Sequence, residues 1–241
     1  MSTHPASRGK LSAWWYIRKH PCWRLRLRPG PDGSLEATGA QMAQALDAAV
    51  SFGGIKEWQA SLYEPETIAF GGLEGMTITE QIFHVDSVGV LAYDQIATDG
   101  SSPLLDAKTT SLCVLTLLMR AAGLEWGEQA DVWGQVEARR VLPPDIAPDK
   151  VSSMVDTMRA LTSFDPAPAL AGGPLAPLAD WIAGMERGGA SLKAASEGNR
   201  LDLGLRAILA RHVIFHWNRM GFSTRQQAIW SRAAREAILG Q

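Results

Sequence analysis

The stretch SAWWYIRKHPCWRLRLRPGPDG, residues 12–33, decides the fold. It reads as a strand, a turn at His20-Pro21 and a second strand, closed by the turn-forming PGPDG at 29–33. In the second strand Arg24, Arg26 and Arg28 occupy every second position. Side chains alternate along a strand, so the three guanidinium groups share one face, while Leu25 and Leu27 face the other way, into a core. Three cations on one short strand repel each other unless an anion sits among them. The face is either the solvated surface of an edge strand, where basic residues deter aggregation, or a grip for a carboxylate or phosphate.

Outward from this hairpin, the pattern turns helical. Residues 1–10 read as a disordered tail. TGAQMAQALDAAVS, 38–51, has helical spacing and stops at Gly53-Gly54. IKEWQASLYEPE, 55–66, alternates enough to predict a third strand, with Gln59, Ser61 and Tyr63 on one face. Thr77 and Glu80 have capping-box spacing and predict the start of a long helix. Asp106 is a candidate N-cap for a strongly apolar helix that ends at Gly123. A more exposed helix follows over 124–140, then a loop, a short helix over 152–162, and the Pro/Gly-rich stretch 165–177, the best linker candidate. Helices are expected at 178–196, 204–220 and 224–238, the last opened by a Ser223/Gln226 capping box. Early antiparallel strands forming a sheet against several later helices make an α+β fold, in a single domain over 11–241.

Composition excludes several function classes. The 23 Lys and Arg against 25 Asp and Glu give a net charge of −2, which argues against bulk binding to nucleic acid or an anionic membrane but leaves room for a local basic pocket. No run of about 18 apolar residues marks a membrane span, and no signal-peptide core opens the chain. Cys22 and Cys113 form no metal or redox pattern, which suits free thiols in a reducing cytoplasm. Neither a dinucleotide-binding glycine fingerprint, nor a P-loop, nor a nucleophile elbow is present, so nucleotide cofactors and a triad hydrolase are unsupported.

Two further constellations could carry chemistry. In RHVIFHWNRMG, 211–221, His212 and His216 lie one helical turn apart and Arg219 follows on nearly the same face. The zinc-protease pattern needs Glu where Val213 stands, and no third ligand announces itself, so no metal is assigned. A histidine beside an arginine suits general acid–base work near neutral pH, or it is a buried histidine with a satisfied hydrogen bond. YEPETIAFGG, 63–72, is a substrate-facing loop, or a connector in which Glu66 pairs with a nearby arginine. His84 and Asp86, on the long helix, read as structural.

Four segments occur in order: WWYIRKHPCWRLRLR, YEPETIAFGGLEGM, LLMRAAGLEWGEQADVW and HWNRMGFSTRQQAI. Together they resemble the thiopeptide-type bacteriocin biosynthesis proteins, a domain that also forms the C-terminal elimination half of class I lantibiotic dehydratases. The resemblance covers residues 11–238. It implies that a partner uses glutamyl-tRNA to esterify Ser or Thr of a precursor peptide with glutamate. This domain then removes the α-proton and expels glutamate, leaving dehydroalanine or dehydrobutyrine, without a cofactor. By the resemblance Arg24 and Arg26 act on the glutamate carboxylate and the developing enolate, and His216 is the acid–base residue. Arg28, Tyr63, Glu66, Arg219 and His212 would line the substrate. The implied partners are the modified precursor peptide and the glutamylating dehydratase subunit, with a homodimer also open. Two positions depart from the family pattern: Cys22 stands where the strand motif often has His, and Ala69 where a basic residue often precedes the aromatic of the Tyr-Gly-Gly motif. Two other functions fit a domain of this kind. One is the [4+2] joining of two dehydroalanines, which has no glutamate to hold and so no need of the paired arginines. The other is a non-catalytic subunit that holds a leader peptide on its sheet edge.

Overall fold

The hairpin is where the helices converge. In the computed structural model, which describes residues 11–19 and 21–240, β1 (Leu11–Lys19) pairs antiparallel with β2 (Cys22–Pro29). The register sets Ala13 opposite Arg28, Trp15 opposite Arg26 and Ile17 opposite Arg24. The expected tail at 1–10, and His20 of the turn, lie outside the described residues.

The other edge of β1 is closed by helix side chains rather than by a strand. Tyr16 donates its backbone N–H to Ser87 Oγ at 3.1 Å, and its carbonyl accepts from Arg219 Nε at 2.9 Å. His84 Nδ1 lies 3.3 Å from the backbone nitrogen of Trp14 and 2.9 Å from its oxygen. The sheet among the described residues is two-stranded, and the third strand expected at 55–66 does not form. That segment crosses the arginine face of the hairpin as irregular chain, anchored by Tyr63 against Trp15 with ring centroids 5.7 Å apart.

Nine α-helices follow among the described residues: α1 (Leu35–Ser51), α2 (Gly72–Asp99), α3 (Ala107–Ala121), α4 (Trp126–Arg139), α5 (Pro148–Ser163), α6 (Ala167–Leu170), α7 (Ala179–Glu197), α8 (Leu205–Met220) and α9 (Thr224–Leu239). The Asp106 cap forms, accepting from the Thr109 N–H at 3.1 Å, and the Ser223/Gln226 box forms in both directions. The Thr77/Glu80 box does not. Gly71, at φ +83°, already caps α2, so Thr77 lies inside the helix and donates to the Leu73 carbonyl. Only glycine takes that left-handed conformation without strain. Helix α1 starts three residues earlier than its spacing suggests, because Ser34 accepts from the Ala37 N–H.

The core lies where α2, α3, α7 and α8 meet. Helices α2 and α7 approach closely through glycines: a Cβ on Gly89 would fall 2.0 Å from Trp181, and one on Gly188 would fall 2.4 Å from Ile82. Helix α9 packs on α4 and α5. The stretch 165–177 is no interdomain linker, because Leu175 within it is wholly buried and it folds back onto the core. The fold is α+β, mostly helical, and one domain.

Candidate anion-binding site

The arginine face exists, but its three cations are not equivalent. Arg28 is neutralised by an ion pair to Glu80, which α2 presents from below. Arg26 lies over the ring of Tyr63, 5.2 Å from its centroid, and donates to the Leu25 carbonyl at 3.1 Å. Arg24 is exposed, and its guanidinium makes no ion pair or hydrogen bond among the described residues. Partial burial, and then the like charge of Arg24, lower the pKa of Arg26. Arg26 is thus a half-desolvated cation lacking a counter-charge, and an incoming carboxylate would relieve both costs. Burial raises the Tyr63 phenol above its ordinary pKa, against the opposing pull of Arg26. The hydroxyl therefore stays protonated at neutral pH and can donate. Its oxygen lies 3.5 Å from Glu80, and the charge of Glu66 reaches it from the same loop.

Leu25 and Leu27 do not point into a core as the alternation suggests. Leu25 is 39% exposed and Trp23 beyond it 59%. The core sits under β1, and β2 is the outer strand. Trp23 instead stacks on Tyr16 at 5.2 Å and carries Arg18 over its ring at 4.6 Å.

The late-helix residues do not join the arginines. His216 is 1% exposed, and both its ring nitrogens are engaged: Nδ1 with Asp86 at 2.8 Å and Nε2 with Ser111 Oγ at 2.8 Å. Asp86 also accepts from Trp181 Nε1 at 3.1 Å and pairs with the buried Arg219. Arg219 reaches the Tyr16 carbonyl, on the edge of β1 opposite to β2. Burial pushes the Asp86 carboxyl up, but the charges of His216 and Arg219 and the hydrogen bonds from His216 and Trp181 outweigh it and hold the pKa at about 2. The carboxylate is ionised at any working pH. His212 is walled by Phe70 and Phe83 and lies 3.2 Å from Thr79 Oγ1; burial drops its pKa to about 3, so it is neutral.

Ser111, His216 and Asp86 reproduce the connectivity of a serine-nucleophile triad. Ser111 is fully buried, however, and accepts from Trp217 Nε1 at 3.1 Å, so no substrate reaches it. These groups brace the core and β1. The sequence assigns His216 and Arg219 a chemical role; in the structure both are buried behind β1 and bonded to Asp86. Asp86, read as structural, is the hub. Glu80, read as a cap, is the counter-charge of Arg28. Its position three residues after Thr77 disguised it, and only the place of α2 beneath β2 identifies it.

Among the described residues no cluster of three or more His, Cys, Asp or Glu could hold a metal ion, and no helix is long and apolar enough to cross a membrane. Cys22 is exposed and Cys113 buried, and both are free.

The chain belongs to the family described as lantibiotic biosynthesis dehydratase C-term, which matches residues 3–238. Its fold is similar to that in the crystal structure of the tRNA-dependent lantibiotic dehydratase MibB from Microbispora sp. 107891, with a TM-score of 0.59 and 18% identity. That likeness covers 96% of this chain and 25% of MibB, so the chain spans a quarter of the larger protein's length. No curated protein matches the chain.

Proposed function

We propose that the chain eliminates glutamate from glutamylated Ser or Thr of a precursor peptide, yielding dehydroalanine or dehydrobutyrine. The observation that carries this reading is the pair Arg24 and Arg26: adjacent, accessible and without a carboxylate partner among the described residues, beside an Arg28 already neutralised by Glu80. An idle basic face has no reason to spare two cations while pairing the third. A [4+2] enzyme has no glutamate for them to hold.

In the reaction a base takes the α-proton of the esterified residue. The electron pair moves into the Cα–Cβ bond, the Cβ–O ester bond breaks, and glutamate leaves through the carboxyl group that formed the ester. Arg24 and Arg26 stabilise the enolate charge as it builds and the carboxylate as it departs. Protonated Tyr63 donates to the same oxygens. With both ring nitrogens of His216 engaged, the proton acceptor is assigned to Glu66, the carboxylate on the loop beside Tyr63. His216 acts at a distance, holding Asp86 and through it Arg219 and β1.

A synthetic peptide with one glutamylated serine tests this directly. Incubated with the chain alone, without tRNA, it should lose the mass of glutamate and gain the thiol reactivity of dehydroalanine. An unchanged glutamyl peptide, together with conversion of a bis-dehydroalanine peptide, would replace elimination by cycloaddition.

A further inference from the structure

Backbone polarity alternates along an antiparallel pair: a residue that bonds its neighbour on one side leaves the next residue's groups pointing to the other. In β1 the N–H and C=O groups of Trp14 and Tyr16 point at the helices, to His84, Ser87 and Arg219. Ala13, Trp15 and Ile17 therefore bond toward β2, and their partners Arg28, Arg26 and Arg24 bond back. By the same alternation Trp23, Leu25 and Leu27 direct their backbone groups away from the sheet. Among the described residues those groups meet only the Arg26 guanidinium, at the Leu25 carbonyl. Helix α1 packs against β2 but bonds none of them.

From this we infer that the modified precursor peptide binds as a third strand on the outer edge of β2. The inference rests on the elimination reading and deepens it. An added strand bonds Leu25 and Leu27 through alternate residues. The residue between those, opposite Arg26, turns its side chain onto the arginine face. A glutamyl ester there is delivered to Arg24, Arg26 and Tyr63 by backbone geometry alone, whatever the neighbouring side chains. That suits an enzyme acting on esters at differing sequence positions. Charge selects the occupant. A second copy of the chain pairing β2 to β2 would set two rows of arginines side by side, an arrangement like charges oppose. A strand bearing a glutamyl carboxylate complements them.

The probe is a fluorescent ten-residue peptide. Its central residue is 2,3-diaminopropionate acylated on the side-chain amine by the α-carboxyl of glutamate, so that an amide replaces the labile ester. N-methylating the residues that flank the acylated one removes the N–H groups aimed at β2. Each such change should weaken binding about tenfold, the worth of one main-chain hydrogen bond to a desolvated partner. N-methylation of the acylated residue itself, whose N–H points away, should cost little. Leu25→Pro deletes only an outward N–H, which an edge strand tolerates, and should weaken the probe about tenfold with circular dichroism unchanged. Equal affinity for the flanking and central N-methyl peptides would overturn strand addition, as would no binding up to millimolar probe. A chain dimer that Leu25→Pro splits, with peptide affinity untouched, would assign the edge to a second copy and overturn it too. If the alternating pattern holds but the glutamyl group adds no affinity, strand addition stands and the elimination reading fails.

Discussion

Arg24 and Arg26 differ from Arg28 only in what lies beneath them, and that difference sets the outcome of substitution. On the proposed elimination reading, removing Arg24 or Arg26 takes away charge that would act on the departing glutamate, so Arg24→Ala and Arg26→Ala should each slow elimination about 10²–10³-fold with the fold intact. Arg28→Ala should cost far less rate, because Glu80 already absorbs that charge. A loss from Arg28→Ala as large as from Arg26→Ala, in single-turnover mass spectrometry, would contradict this division. His216 belongs to a different category. Deleting its ring opens a cavity and strips a partner from a buried carboxylate. His216→Ala should therefore lower unfolding stability by about 3 kcal/mol in urea titration, rather than leave a folded, inactive protein.

His212 gives a pH signature at the same scale. Its folded-state pKa is depressed to about 3, below the ordinary histidine value, so the unfolded chain binds the extra proton first. Its contribution to stability is complete above about pH 6.5 and declines as pH falls toward 3. Asp86, also depressed, adds stability that is present above the ordinary carboxylate range and lost as pH falls toward about 2. The urea midpoint should fall between pH 7 and pH 5. His212→Gln, which keeps an acceptor for Thr79, should flatten that slope, and an unchanged slope would sink the assignment.

Among the elements, the α2–α7 contact leaves the least room. Gly89→Ala would drive its methyl into Trp181, the residue that donates to Asp86. Overpacking there should cost about 1–3 kcal/mol in urea unfolding and disturb the hub as well. The elements also show what the sequence could reveal. The hairpin, α3 and α9 were legible because local chemistry decides them: turn residues, an Asp cap, a Ser–Gln box. The segment 55–66 misled because alternation separates two faces but does not lay a segment beside an edge: Tyr63 packs on Trp15 and under Arg26, so the segment meets the face of the hairpin and pairs with neither edge. Leu25 and Leu27 misled for a related reason: period-two spacing separates two faces but does not say which strand is the outer one.

Across the whole molecule, the arginine row was readable from spacing, while its partition into two free cations and one neutralised cation was not. That partition depends on Glu80, more than fifty residues away in sequence and brought under β2 only by the docking of α2 on the hairpin. The Asp86 hub was invisible for the same reason, since its partners come from α7 and α8, and Ser111 of α3 reaches it only through His216. The helical body thus serves the hairpin: it fixes β1 through one edge and, among the described residues, bonds none of the outward backbone groups of β2. The decisive measurement is the rate of glutamate loss from a glutamylated-serine peptide, followed by mass spectrometry, with the unaltered chain, Arg24→Ala and Arg26→Ala run side by side. Conversion to dehydroalanine by the unaltered chain, and at least about a hundredfold slower conversion by each variant, is the predicted result. Equal rates in all three, or no conversion by the unaltered chain, would contradict an elimination site on the arginine strand.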